Sequence, residues 1–562
     1  MHRVVIAAVV AALSCGAPPI AHAQAAAAAA AAGDLYSRWP EDLRINGRIV
    51  VFNGVSDVAV LQPTLRRIAS GRSVFCLGGG DDAGSAEVRR ALEAAVGEDG
   101  SYLAGSSANA SAELLAAVAA ADCVFVADLP ADRDRLAEFK EPLHAVVRRG
   151  GTLIADASTA SRFGERYVTN GDPSKTAEGL NLLPDCVLDA SLGERELLDV
   201  LARHPRSVGL RLADEAAFVL EGRKAIALGP GAVTVCVARG TAEEPASLSI
   251  SAATERRRRH PESALFDLTQ WRRMAIDRDL PPFPGETPPP PVVENGTLLI
   301  VGGGGTPRGL MSRFVELAGG VGRARLVYVP CSENDSVGER HDVVTSWRRM
   351  GVEHATFVHT KDRANANGDE ELLAPLRDAT GIFFGGGRQW NFSDSYYGTQ
   401  AHELMKEVLR RGGVIAGSSA GASIQGRYLA RATPIGNSEI MAPGYERGGL
   451  GFLPGVAIDQ HFTQRGRQRD MTRLIAVYPQ LLGVGLDEAT AIEVRGSVAE
   501  ASGRGRAFFY DAGAERAAGD PDYTALPAGS TYDLARRAVL RDAREAPGKP
   551  SDAEPESSRR SR

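Results

Sequence analysis

Two successive α/β domains with mainly parallel sheets are the architecture this sequence predicts, and three observations predict it. Short Val/Ile/Leu-rich runs alternate with amphipathic stretches such as Ala401 to Arg411, the pattern of strands buried on both faces and connected by crossover helices. The chain has 562 residues, more than a single ordinary domain holds at roughly 150 residues each. Four sequence blocks also recur in one order on either side of a proline-rich stretch.

The first segment reads as an export signal. His2-Arg3 precedes the apolar run Val4 to Leu13, and Ala21-His22-Ala23 before Gln24 is a small-x-small cleavage pattern. Residues 1–23 are therefore expected to be removed and the mature protein to be secreted or periplasmic. Cys15 offers a lipoprotein alternative, but Ala12 stands where that signal usually carries Leu. Residues 24–42, with the tract Ala25 to Ala32, read as an Ala-rich spacer. No other run approaches the ~18 apolar residues needed to cross a bilayer.

Hydrophobic residues at 44% and charged residues at 24% are ordinary globular values. The net charge of −6 gives no basic field for nucleic acid, and the run Arg256 to Arg259 reads as a solvated linker face. Without Cys15 five cysteines remain, in no CxxC spacing and mostly in apolar strands such as Ser73 to Leu77. They read as small buried hydrophobes, so neither a metal site nor an organic cofactor is expected.

Residues 43–250 form the expected first domain. A basic and Pro-rich linker at 251–295 follows, with seven prolines and one glycine between Pro281 and Pro291. Residues 296–545 form the second domain and 546–562 a polar tail. Gly71 to Gly80 reads like Gly296 to Gly304, and Arg148 to Ala155 like Arg410 to Gly417 at an offset of 262. Leu183-Pro184 with Asp189 matches Leu453-Pro454 with Asp459 at 270, and Asp214-Glu215-Ala216 matches Asp487-Glu488-Ala489 at 273. Offsets that drift in one direction are those of a tandem duplication.

The chemistry collects in the second domain. Gly413-Val414-Ile415-Ala416-Gly417-Ser418-Ser419-Ala420-Gly421 is a strand entering a small-residue turn and then a helix, the arrangement of a nucleophile elbow. Ser419 is the candidate nucleophile, and the Ala420 N–H is placed to meet an oxyanion. Among the histidines of this half, His461 ends the apolar run Val456 to Gln460, where a general base belongs. Gly485-Leu486-Asp487-Glu488 ends another strand; Glu488 is the favoured partner for the imidazole, with Asp487 as the alternative.

The blocks Gly417-Ser418-Ser419-Ala420-Gly421-Ala422, Asp459-Gln460-His461-Phe462 with Gln464-Arg465-Gly466-Arg467, and Gly485 to Ala491 resemble cyanophycinases. These belong to the peptidase E-like (S51) group, whose fold is flavodoxin-like and related to class I glutaminases. The resemblance spans Gly296 to Tyr510. It implies a Ser419-His461-Glu488 triad and an oxyanion hole of Ala420 with Gly386 or Gly387. It also implies substrate contacts by Gln389, Asp459, Gln460, Arg465 and Arg467. The implied partner is a peptide polymer, arginine-bearing poly-aspartate, released as β-aspartyl-arginine dipeptides. An aspartyl dipeptidase and a non-catalytic polymer-binding protein are the alternatives, and a homodimer is compatible with either. Two departures fall where a charged substrate is read: Arg388 replaces an acidic residue before Gln389, and Asp470 stands where a third arginine is expected.

Opposite Ser419 and His461 the first domain has Ala157 and Ser191, with Ser158 adjacent, and Glu215 aligns with Glu488. A folded but inactive copy is the expectation.

Overall fold

Continuous apolar strands bury both faces, and the computed structural model shows what covers them. It describes residues 46–545 apart from 55–60, 79–82, 241–244, 251–265, 335 and 436–438. The expected signal, spacer, basic run and polar tail lie outside the described residues. In the first half, strands β1 (Arg48–Phe52), β2 (Ser73–Leu77), β3 (Ser101–Gly105), β4 (Cys123–Val126), β5 (Thr152–Asp156) and β6 (Ala217–Glu221) lie in the order β6-β1-β5-β4-β2-β3. In the second, β7 (Val293–Val301), β8 (Arg325–Val329), β9 (His354–Phe357), β10 (Gly381–Phe384), β11 (Val414–Ser418) and β14 (Thr490–Gly496) lie in the order β14-β7-β11-β10-β8-β9. Two further strands, β12 (Leu453–Gln460) and β13 (Leu482–Leu486), belong to a smaller sheet beside it. In both large sheets these five strands are parallel, and β6 or β14 pairs antiparallel with the first of them, β1 or β7, with further antiparallel strands beyond it. The chain is thus the mixed α/β protein its sequence predicts.

Alternation along β7 shows the layering: Leu298 and Ile300 enter one core cluster, Leu299 and Val301 the opposite one. β1 does the same with Ile49 and Val51 against Val50 and Phe52. Parallel strands need long crossovers, and helices supply them. The helix Gln400–Arg410 buries Ala401, Leu404, Met405, Val408 and Leu409, one stripe at helical spacing, and Thr399 caps its N-terminus.

The segment 251–295, expected as linker, is described from residue 266 on. Its described part contains a short strand, Phe266–Asp267, and the helix Leu268–Arg278, and residues 279–292 run without helix or strand. Arginines at buried positions 272 and 273 interrupt this helix's apolar stripe and mask its periodicity in the sequence. Its buried Arg273, together with Arg223 of the first half, grips Asp394 in the second. Arg223 also makes a two-pronged pair with Asp267 (2.6 and 2.8 Å) and donates to the Tyr445 hydroxyl at 2.6 Å. Asp394 lies on the helix Trp390–Tyr396, immediately after Gln389.

The five cysteines of the described chain are free thiols, four of them buried. No described helix is long and apolar enough to cross a membrane, and no group of His, Cys, Asp or Glu among the described residues is arranged to hold a metal ion.

Candidate active site

Three chain segments meet at the carboxyl end of β7, and backbone hydrogen bonds fix each of them there. Val301 accepts the N–H of Ser419 (3.0 Å), Gly302 that of His461 (2.8 Å) and Gly303 that of Ala489 (2.8 Å). The strand therefore serves as one ruler against which three distant pieces of sequence are placed.

Ser419 follows β11 at φ 57°, ψ −112°, a conformation a non-glycine residue holds only when its surroundings impose it, at a cost of about 1–3 kcal/mol. The glycines two residues either side explain how. A Cβ on Gly417 would lie 2.2 Å from the Gly421 carbonyl oxygen, and one on Gly421 2.2 Å from that of Phe384. Only bare backbone lets strand and turn approach so closely. The helix that follows is just Ala420–Ser423, so electrostatic help at this point comes from single N–H groups rather than from a long helix dipole.

The geometry brings Ser419, His461 and Glu488 together. Ser419 Oγ is 2.9 Å from His461 Nε2, and His461 Nδ1 is 2.6 Å from Glu488 Oε1. With Nδ1–H donating to the carboxylate, the Nε2 lone pair is left facing the hydroxyl. Burial pushes the imidazole pKa down; the Glu488 hydrogen bond opposes this, while the Arg465 charge adds to it. Asp487, the alternative partner, is turned away: it accepts from Thr463 N and Oγ1 (3.1 and 2.6 Å) and from Arg506 N (3.1 Å), closing the turns around the site. Gln464 accepts the Glu488 N–H at 2.9 Å.

Two residues escaped the sequence reading. A Cβ on Gly303 would lie 2.5 Å from His461 Cε1, and one on Gly304 2.3 Å from the Glu488 carboxyl carbon; both have positive φ. The run Gly302 to Gly305 is the signal that marks them. Gly386 lies on the other side, where a Cβ would stand 3.5 Å from that of Ser419, and Gly387 packs against Cys331.

The residues assigned to substrate contacts separate into two groups. Asp459 is fully buried, accepting from Arg431 Nε (2.9 Å) and Arg467 Nη1 (2.7 Å). It holds two guanidinium groups in position from beneath. Arg431 also pairs with Asp470, so the departure at 470 compensates an arginine hidden in the apolar run Tyr428 to Ala432. Gln389 donates to the Arg431 carbonyl. The amide oxygens of Gln389 and Gln460 are buried without a hydrogen-bond partner among the described residues. Arg465 is exposed at the rim, and Arg388 is exposed and 3.7 Å from Glu333, a surface pair of small energetic weight.

The equivalent place in the first half is built differently. Ala157 is helical, and Asp156 caps that helix by accepting from Ser158 and Thr159 N–H. The Ser191 hydroxyl donates to Asp189 at 2.8 Å. Strand pairing also shifts one assignment. Phe52 lies opposite Ala217 as Val301 lies opposite Ala491, which sets Asp214, not Glu215, in the place of Glu488. Glu215 matches Ala489, and both have positive φ.

Residues 298–501, which contain all three of Ser419, His461 and Glu488, match the model of peptidase family S51. The cyanophycinase of Synechococcus elongatus is 33% identical over 209 residues, 36% of this chain and 63% of its own length. That of Geminocystis herdmanii (strain PCC 6308) is 28% identical over 206 residues, 36% of this chain and 74% of its own length. The chain thus spans less than two thirds of the first of these relatives. Among solved structures, a peptidase from an acI-B1 actinobacterium aligns at 20% identity and TM-score 0.33, over 42% of this chain and 97% of that one. A putative peptidase E protein from Listeria monocytogenes EGD-e aligns at 17% and 0.27, over 37% and 98%.

Proposed function

We propose, from the match of residues 298–501 to peptidase family S51, that the chain is an exported serine peptidase. In this reading it hydrolyses arginine-bearing poly-aspartate to β-aspartyl-arginine dipeptides. The observation that carries the chemistry is the unbroken hydrogen-bonded series from Ser419 Oγ through His461 to Glu488. Ser419 Oγ attacks the aspartyl carbonyl as His461 Nε2 takes its proton. The oxyanion meets the N–H of Ala420 and that of Gly386 or Gly387. The C–N bond then breaks, His461 returns the proton to the leaving amine, and water repeats the sequence on the acyl-enzyme. Glu488 stabilises the imidazolium throughout. Arg465 at the rim and Arg467, held by Asp459, supply guanidinium forks for carboxylates. The orphan amide oxygens of Gln389 and Gln460 supply acceptors for donor groups on the substrate.

Incubation with the insoluble polymer and with Asp-Xaa dipeptides, with products identified by mass, tests the substrate. β-Aspartyl-arginine from the polymer is expected. Cleavage of Asp-Xaa dipeptides alone would make the protein a short-peptide dipeptidase, and no cleavage of either would leave a binding protein.

Two further results are expected. Because His461 must be neutral to act as base and its pKa is lowered, the acid limb of the kcat/KM profile lies below about pH 6.5, the ordinary histidine value. Arg465→Ala removes a positive charge that disfavours the imidazolium, so that limb moves to higher pH, and KM for carboxylate-bearing substrates rises. Gly303→Ala drives a methyl group into the imidazole, and steady-state kinetics should show kcat reduced by about a hundredfold.

A further inference from the structure

A cavity of about 970 Å³ opens in the first half of the chain, at the sheet edge that corresponds to the candidate active site. Among its walls are Ala157, Ser191 and Asp214, the topological counterparts of Ser419, His461 and Glu488. The triad of the second half is not reproduced there: Ala157 carries no nucleophile, and Ser191, its hydroxyl turned onto Asp189, is no base. The backbone has relaxed accordingly, since Ala157 is helical where Ser419 is held at positive φ. The cleft nevertheless has not been packed shut. A volume of this size is at the upper end of ligand pockets and has room for a few peptide residues.

The walls say what kind of ligand fits. Four carboxylates, Asp128, Asp156, Asp189 and Asp214, face one guanidinium, Arg162, a formal balance of −3 (−4 from the carboxylates, +1 from Arg162). Asp189 is spent on its own turn, accepting from Ser191 and Leu192, and one oxygen of Asp156 on capping its helix, which leaves Asp128 and Asp214 as the main acceptors. Asp128 and Asp214 are exposed, and Asp128 accepts a 3.3 Å hydrogen bond from the Ser107 hydroxyl. Arg162 lies 5.6 Å over the Tyr167 ring, also a wall residue, and its buried Nε has no hydrogen-bond partner among the described residues. The cleft therefore offers mostly acceptors, plus one donor aligned on an aromatic ring.

We infer that the first half is a binding site, without hydrolysis, for a peptide that bears guanidinium or ammonium side chains. The carboxylates meet the cationic groups and Arg162 meets a carbonyl or carboxylate of the same chain. Nothing in this depends on the reaction assigned to the second half, so the two readings stand or fall separately.

The test uses the full chain carrying Ser419→Ala, so that nothing is turned over, and calorimetric titration with tri-arginine amide and with tri-glutamate. Tri-arginine amide is expected to bind and tri-glutamate not to bind at this cleft. The double variant Asp128→Asn/Asp214→Asn should weaken tri-arginine binding by at least about tenfold, the loss of charge-assisted hydrogen bonds, with an unchanged melting midpoint. Ser158→Trp, at an exposed wall position, should weaken it equally by filling the space, whereas Arg465→Ala in the second half should not weaken it. Absence of binding, or binding unchanged in the double variant, overturns the inference. So does a loss on charge removal without a loss on Ser158→Trp, because that pattern belongs to diffuse attraction rather than to a site.

Discussion

Ser419→Ala is expected to lower kcat by about 10⁴-fold or more while leaving the fold in place. The effect is large because the nucleophile and its base act as a unit, and removing either forfeits nearly all that both contribute. The fold should persist because alanine keeps the Cβ. The strained φ of 57° is imposed by the Ser419 N–H to Val301 bond and the Gly417 and Gly421 contacts, none of which uses the hydroxyl. Parallel measurement of turnover and thermal melting checks both halves of the statement. A melting midpoint that falls along with activity would mean that the serine's role is structural.

Asp394→Asn should destabilise the protein by about 3–5 kcal/mol, the cost of leaving a buried guanidinium uncompensated. Asp394 is fully buried, and its partners Arg223 and Arg273 come from the other half of the chain. Burial alone would raise the carboxyl pKa, but the two guanidinium groups outweigh it and hold the value well below the usual carboxylate range. A depressed folded pKa stabilises the protein above the unfolded value near 3.9, and that contribution is lost as pH falls through the folded value. Denaturant unfolding at neutral pH therefore shows the full deficit of the variant, and the gap to wild type narrows only in strong acid. Since the helix bearing Asp394 begins directly after the Gly385 to Gln389 loop, loosening this grip should also reduce turnover.

How much of this the sequence reveals depends on how far apart the interacting residues lie. Strand ends are local features, so Ser419, His461 and Glu488 could be selected by asking which reactive side chains follow apolar runs. Gly417 of the elbow could be read because its crowding is with a near neighbour, Gly421. The Arg223, Arg273 and Asp394 network could not: its partners are 171 and 121 residues apart, and no periodicity reports an ion pair at such a separation. Nor did Gly303 and Gly304 announce which side chains they make room for, since those arrive from residues 461 and 488. The family resemblance implies a substrate contact for Asp459, whereas its oxygens accept from Arg431 and Arg467. The displacement of Glu215 by one position has a simple origin. The identical Asp-Glu-Ala triplets set the sequence match at an offset of 273, whereas the strand register pairs Ala217 with the place of Ala491, one residue further on.

The central claim is that Ser419 is an activated nucleophile. It is tested most directly by treating the purified chain with a serine-directed fluorophosphonate and mapping the adduct by peptide mass. Labelling at Ser419 that disappears in His461→Ala is the predicted result. An unlabelled Ser419, or labelling unaffected by loss of the histidine, would contradict it.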